Sequence, residues 1–185
     1  LAEDTTTEVT LTGADAEGKA LTFTVLAPPA HGLLSGTPPY LNYIPSSNYF
    51  GTDRFTFKVS DGQSESGAAD VNLTVNSVND APVARISITP LVKVPGVTNR
   101  WVIAPPCTNA TVALDGSSSS DVETQPLQYL WFFGPTTNPA ATGVVALVTL
   151  PLGTNSVALA VSDGEATATA TASVEVLTAR QAIER

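Results

Sequence analysis

Tyr49-Phe50-Gly51-Thr52-Asp53-Arg54-Phe55-Thr56-Phe57-Lys58-Val59-Ser60-Asp61-Gly62 is the stretch on which the fold turns. Phe55, Phe57 and Val59 recur at every second position, with Thr56, Lys58 and Ser60 between them. A period of two puts one set on a buried face and the other in solvent, which is the pattern of a half-buried β-strand. Phe50-Gly51 turns the chain into this strand and Asp61-Gly62 turns it out. Glycine and aspartate suit such positions because they tolerate turn backbone that other residues resist.

The same alternation extends outward on both sides. Upstream, residues 8–12 alternate polar and apolar, and Leu21, Phe23 and Val25 form a second strand after the polar turn at 13–18. Pro28, Pro29, His31 and Gly32 break that strand, Leu33-Leu34 begin another, and Leu41 and Tyr43 share a face within 40–45. Downstream, Ala69, Val71, Leu73 and Val75 close the half. About seven short strands, with turn signals every 8–12 residues or so, predict a β-sandwich. No segment carries a 3.6-residue period of any length.

Past the short joint Val78-Asn79-Asp80-Ala81-Pro82, a second set of strands follows. Residues 83–94 are strand-like but interrupted by Pro90, and 95–106, with Trp101, reads as an insertion or extra edge strand. Val112 and Leu114 lead to Asp115-Gly116 and the serine run 117–120. Leu127, Tyr129, Trp131 and Phe133 bring a large aromatic payload and are the expected core of this half. Residues 144–152 and Val157, Leu159 and Val161 supply two more strands, then the Thr/Ala alternation of 166–173 ends in Val174 and Val176. That alternation predicts a strand with one closely packed face and one hydroxyl-rich face. Residues 179–185 are charged and tolerate helix, and are expected to be a tail or the start of a linker.

The two halves repeat one another. Asp15, Glu17, Leu21 and Phe23 match Asp121, Glu123, Leu127 and Tyr129 at an offset of 106. Val59-Ser60-Asp61-Gly62 matches Val161-Ser162-Asp163-Gly164 at an offset of 102. A spacing this long means tandem domains, because solenoid repeats run about 20–50 residues. The boundaries expected are 1–80 for the first sandwich, 81–178 for the second and 179–185 for the tail.

Five motifs of the first half occur in order: Glu3-Asp4-Thr5, Pro29-Ala30-His31-Gly32, Tyr43-Ile44-Pro45, the stretch 49–62, and 78–82. Together they resemble the bacterial cadherin-like tandem repeat of large surface and secreted proteins, over nearly all of residues 1–82. The second half resembles the PKD-like domain through Val112 to Leu114, Asp115-Gly116 with the serines and Asp121, and Leu127 to Trp131. It departs from that family at Phe132-Phe133-Gly134-Pro135, where a Gly-Asp-Gly turn is usual. The fold implied is all-β, as two tandem Ig-like (cadherin-like and PKD-like) β-sandwiches.

The cadherin-like resemblance also implies calcium. A calcium ion takes six to eight oxygen ligands, so a protein site gathers several carboxylates and carbonyls. Carried over by position, the joint would use Glu3, Asn79 and Asp80 with Asp121 and Glu123, and Asp163 as a further ligand. Asp15, Glu17 and Asp61 would by the same logic face a preceding domain. Ser77 stands where the linker pattern often carries another aspartate. Turn capping by Asp15, Asp61, Asp121 and Asp163 is the competing, purely structural explanation.

Composition bounds the remaining functions. With 17 acidic and 8 basic residues, the net charge of −9 would repel a phosphate backbone, so nucleic acid is not an expected partner. Ten of the acidic residues lie within 1–80. Such a surface suits divalent cations. The single cysteine, Cys107, cannot form a disulfide within the chain and is expected to be a small buried hydrophobe. No run of ~18 apolar residues exists to cross a membrane, and no signal peptide is evident. The chain begins at Leu1 and has no methionine, which fits a piece of a longer protein. His31, the one histidine, sits in a Pro-Ala-His-Gly turn without a nucleophile near it in sequence, and the serine run lacks a Gly-x-Ser-x-Gly setting. The expectation is a monomeric, non-catalytic, extracellular stalk or adhesion module of a larger surface protein. Its partners would be other domains of that protein, and a cell-surface protein or polysaccharide. The competing expectation is a carbohydrate-binding accessory of a secreted polysaccharide-degrading enzyme, with Trp101, Tyr40 and Tyr49 as stacking surfaces.

Overall fold

The computed structural model describes residues 1–90, 102–104 and 109–183. Trp101, Cys107 and most of the expected insertion at 95–106 lie outside the described residues, as do 91–94 of the strand expected after the joint. The chain divides into two units, Leu1–Val78 and Asn79–Arg185.

Unit 1 holds six strands: β1 (Thr7–Thr10), β2 (Thr22–Ala27), β3 (Gly32–Thr37), β4 (Tyr40–Pro45), β5 (Gly51–Ser60) and β6 (Ala69–Val75). They form two antiparallel sheets, ordered β1-β4-β3 and β2-β5-β6. Between the sheets lie Leu11, Leu41, Tyr43, Phe55, Phe57, Leu73 and Val75, with Phe23, Val25 and Val59 packed against them. The inward set is therefore the period-two apolar set of the 49–62 stretch. Gly32 is forced by packing: a Cβ there would sit 2.5 Å from the Tyr43 ring and 2.7 Å from the Ile44 carbonyl oxygen.

Asp53 breaks the apolar pattern of β5 and is only 5% exposed. It accepts hydrogen bonds from the backbone amides of Ala30 (2.9 Å), His31 (3.0 Å) and Arg54 (2.8 Å), and from the Tyr43 hydroxyl (2.9 Å). Burial by itself would raise its pKa, but these four donors outweigh burial and hold the carboxyl below its ordinary value of 3.8. Burial, and then the bond to Asp53, push the Tyr43 hydroxyl well above the usual tyrosine range. Asp53 thus anchors the Pro-Ala-His-Gly loop to the core. The His31 ring in that loop stacks on Tyr49, with centroids 4.1 Å apart and planes 5° from parallel.

Unit 2 holds β7 (Ser87–Pro90), β8 (Val102–Ala104), β9 (Asn109–Asp115), β10 (Gln128–Phe133), β11 (Ala141–Thr142), β12 (Val145–Pro151), β13 (Gly153–Ser162), β14 (Thr167–Thr178) and α1 (Ala179–Ile183). One sheet runs β11-β10-β13-β14-β8 and the other β12-β9-β7. β8 lies parallel to β14, and among the described residues the other strand pairings of the unit are antiparallel. Trp131 is fully buried with Val112, Leu114, Val157, Leu159 and Val161, and its Nε1 donates to the Gly143 carbonyl at 2.9 Å. An indole in a core needs that acceptor, since a buried unpaired N–H costs about 1–3 kcal/mol. Along β14, Thr167, Thr169 and Thr171 are exposed while Ala168, Ala170 and Ala172 are half-buried.

The helix-tolerant tail forms one short turn of helix. Residues 179–183 are a short helix with its N-terminus capped from both sides. The Gln181 amide donates to Thr178 Oγ1 (3.2 Å), and the Thr178 amide donates to Gln181 Oε1 (3.0 Å). This is a capping box, Thr-x-x-Gln, in which two otherwise orphaned backbone donors are satisfied reciprocally.

Candidate functional site

The two repeated acidic motifs fold into the same local structure, one copy in each unit. In unit 1 the Asp61 Oδ1 accepts from the amides of Gln63 (2.8 Å) and Ser64 (2.7 Å). In unit 2 the Asp163 Oδ1 accepts from the amides of Glu165 and Ala166, both at 2.7 Å. Ser60 and Ser162 each receive the amide of the following glycine at 3.1 Å. Gly62 (φ 89°) and Gly164 (φ 105°) supply the left-handed backbone that the Asp-Gly turn requires. The other half of the motif matches as well. Asp15 Oδ1 accepts from the Glu17 amide and Asp121 Oδ1 from the Glu123 amide, both at 3.1 Å. Turn capping by Asp15, Asp61, Asp121 and Asp163 is therefore real in both copies.

What the remaining carboxylate oxygens do differs between the units. In unit 2, Asn79 Nδ2 donates to Asp163 Oδ2 at 3.0 Å, and Gln125 Nε2 donates to Asn79 Oδ1 at 3.0 Å. The Asp80 amide donates to Glu123 Oε2 at 3.2 Å. Asn79, Asp80, Asp121, Glu123 and Asp163 thereby lie at one end of the unit. The Val83 amide donates to the Ser120 carbonyl (2.7 Å) and the Ser120 amide to the Val83 carbonyl (3.2 Å), which ties the start of the unit to its acidic loop. The amide of Ala166 and then the Asn79 side chain hold the Asp163 carboxyl below the usual range.

Two oxygens in this cluster are buried without a hydrogen-bond partner, Asp121 Oδ2 and Glu123 Oε1. A buried carboxylate oxygen with no donor is costly, and an oxygen-seeking cation is one way to satisfy it. The donor set of carboxylates and an amide oxygen fits calcium chemistry rather than that of a soft metal.

In unit 1, Glu3 is 1% exposed. Its Oε1 accepts from the Val78 amide at 2.7 Å, and its Oε2 is buried without a partner. The loop with Asp15 and Asp61 lies on different residues of the unit and holds a lysine. Lys19 Nζ reaches Asp61 Oδ2 and Gln63 Oε1, both at 3.0 Å, while the Lys19 amide donates to Asp15 Oδ1 at 2.8 Å. The amide of Ser64, then that of Gln63, then the Lys19 side chain hold the Asp61 carboxyl below the usual range. Glu17 is exposed. Sequence reasoning treated the two acidic loops as equivalent and overlooked Lys19; the offset of 106 that pairs the acids also pairs Lys19 with Gln125.

Of the aromatics expected as sugar-stacking surfaces, Tyr40 is 72% exposed. Tyr49 is half-buried with one ring face covered by His31.

A family model described as a bacterial Ig domain matches residues 1–74. Unit 1 is Ig-like. That span is nearly the whole of unit 1, and it supports the Ig-like reading of the first half. Both units are Ig-like β-sandwiches by their paired sheets and intervening cores. A search of the curated proteins finds no match. Among solved structures, human mucin-like protocadherin EC1-2 is 15% identical with a TM-score of 0.47, over 97% of this chain and 94% of that one. The fibronectin(III)-like modules of Clostridium thermocellum CbhA are 12% identical with a TM-score of 0.34, over 97% and 89%. An endo-fucoidan hydrolase of glycoside hydrolase family 107 is 22% identical with a TM-score of 0.35, over 96% of this chain. The chain spans 27% of that hydrolase's length. Among the described residues no helix is long and apolar enough to cross a membrane.

Proposed function

We propose that the chain is a non-catalytic, extracellular module pair of a larger surface or secreted protein, whose second unit binds calcium through the acidic cluster at its start. The observation that carries the calcium reading is the pair of buried, partnerless oxygens on Asp121 and Glu123. The carboxylate of Asp80, whose amide already donates to Glu123 Oε2, would supply a further hard oxygen. Calcium would neutralise part of the net charge of −9 and draw Asn79 and Asp80 onto the acidic loop of their own unit. Ordering the residues of the joint in this way suits a stalk that must hold distance.

Several features support a mechanical rather than catalytic role. The His31 ring is stacked on Tyr49, and the carboxylates of Asp53, Asp61 and Asp163 are engaged as acceptors of turn and loop amides. The bacterial Ig match over residues 1–74 supports an extracellular location and the Ig-like type of the module. The PKD-like type of the second unit rests on the motifs at 112–121 and 127–131. Binding to other domains of the parent protein, to a cell-surface protein or to a polysaccharide belongs to the same proposal.

Isothermal titration of the metal-stripped chain with calcium tests it. Binding that disappears in Asp121→Asn and Glu123→Gln supports the site, whereas no heat at millimolar calcium removes it.

A further inference from the structure

The two acidic loops share their turn geometry but differ at one equivalent position. Lys19 of unit 1 corresponds to Gln125 of unit 2 at the offset of 106. The lysine ammonium lies 3.0 Å from Asp61 Oδ2 and 3.0 Å from Gln63 Oε1, and the lysine's own backbone amide is fixed by Asp15 at 2.8 Å. The equivalent oxygen in unit 2, Asp163 Oδ2, meets a neutral amide from Asn79 instead. The side chain of Asp61 is 10% exposed, and that of Lys19 is 39% exposed. A carboxylate held that closely by a fixed ammonium is already charge-compensated, and a divalent ion at the same oxygen would have to displace or repel that ammonium.

We propose that Lys19 is the resident cation of unit 1's acidic loop, so that unit 1 holds its loop without metal while only the loop of unit 2 takes calcium. In this account Lys19 closes the unit 1 copy of the motif to metal, whereas the equivalent Gln125 brings no charge and donates to Asn79 Oδ1, leaving Asp121 Oδ2 and Glu123 Oε1 without a partner. Asp61 then serves a protein cation, and Asp15 fixes that lysine's backbone amide, rather than both holding an ion shared with a preceding domain. The unit 2 side of the inference rests on the calcium reading above, and the unit 1 side does not.

The experiment counts calcium ions by native mass spectrometry on the full chain in four forms: wild type, Lys19→Gln, Lys19→Arg and Asp61→Asn. Circular dichroism in chelator verifies that each is folded. The expected result is one more ion in Lys19→Gln than in wild type, with no change in Lys19→Arg or in Asp61→Asn. An unchanged count in Lys19→Gln overturns the inference. A lower count in Asp61→Asn also overturns it, because Asp61 would then be a calcium ligand in the wild-type chain. If wild type binds no ion, the calcium reading of unit 2 fails by itself. The role of Lys19 then still stands on an ion gained in Lys19→Gln and falls without one.

Discussion

Asp53 shows how one polar residue within an apolar strand can organise a loop. Its carboxylate is buried and gathers four donors, two of them from the Pro-Ala-His-Gly loop. Replacing it with alanine leaves the Tyr43 hydroxyl and the loop amides without their acceptor, and should cost about 3 kcal/mol in a denaturant titration. The pH dependence has a definite sign. The folded carboxyl titrates below its ordinary value of 3.8, so the folded state binds that proton more weakly than the unfolded state. Stability from Asp53 is full above the unfolded value and is lost as pH falls through the folded one. Acid melts of wild type should therefore fall below about pH 4 more steeply than those of Asp53→Asn. Gly32 makes a second claim at this scale. An added Cβ meets the Tyr43 ring and a backbone oxygen at under 3 Å, so Gly32→Ala should lose about 2 kcal/mol by the same titration.

At the scale of the element, strands and turns were legible because their period and punctuation are local. Phe55, Phe57 and Val59 announce β5, and Asp61-Gly62 its end, without help from the rest of the chain. The helix at 179–183 was less legible, since five residues carry no periodicity and its signal is the Thr178–Gln181 box alone. Thr178→Ala should cost about 1 kcal/mol, read as faster amide exchange at residues 179–183. Pairing partners were not legible either. That β8 joins β14 in parallel depends on contacts between residues far apart in sequence, to which the alternation within each strand is blind. Asp53 escaped the sequence reading for a related reason: an aspartate facing inward on β5 looks like an ordinary rim residue until the loop at 29–32 is seen to close over it.

For the whole molecule, the main lesson comes from duplication. Two copies of one acidic motif keep the same turn hydrogen bonds, while the residues that finish each cluster differ: Lys19 and Gln63 in unit 1, Asn79 and Gln125 in unit 2. The acids themselves could be aligned from sequence, whereas the character of each cluster could not. By sequence alone a lysine four residues beyond an aspartate fits any surface role; only its 3.0 Å approach to Asp61 gives it this one. The joint at 78–82 also became sharper. The division falls between Val78 and Asn79, so Val78 closes unit 1 on Glu3 while Asn79 and Asp80 open unit 2 on its acidic loop. The central claim is that calcium satisfies the buried oxygens of Asp121 and Glu123. The most direct test is thermal melting of the wild-type chain and of Asp121→Asn, each in chelator and in calcium. At a hundred times the dissociation constant a bound ion adds about 2.7 kcal/mol, so wild type should melt several degrees higher in calcium and Asp121→Asn should not respond. Identical wild-type melting curves in calcium and in chelator would contradict the account.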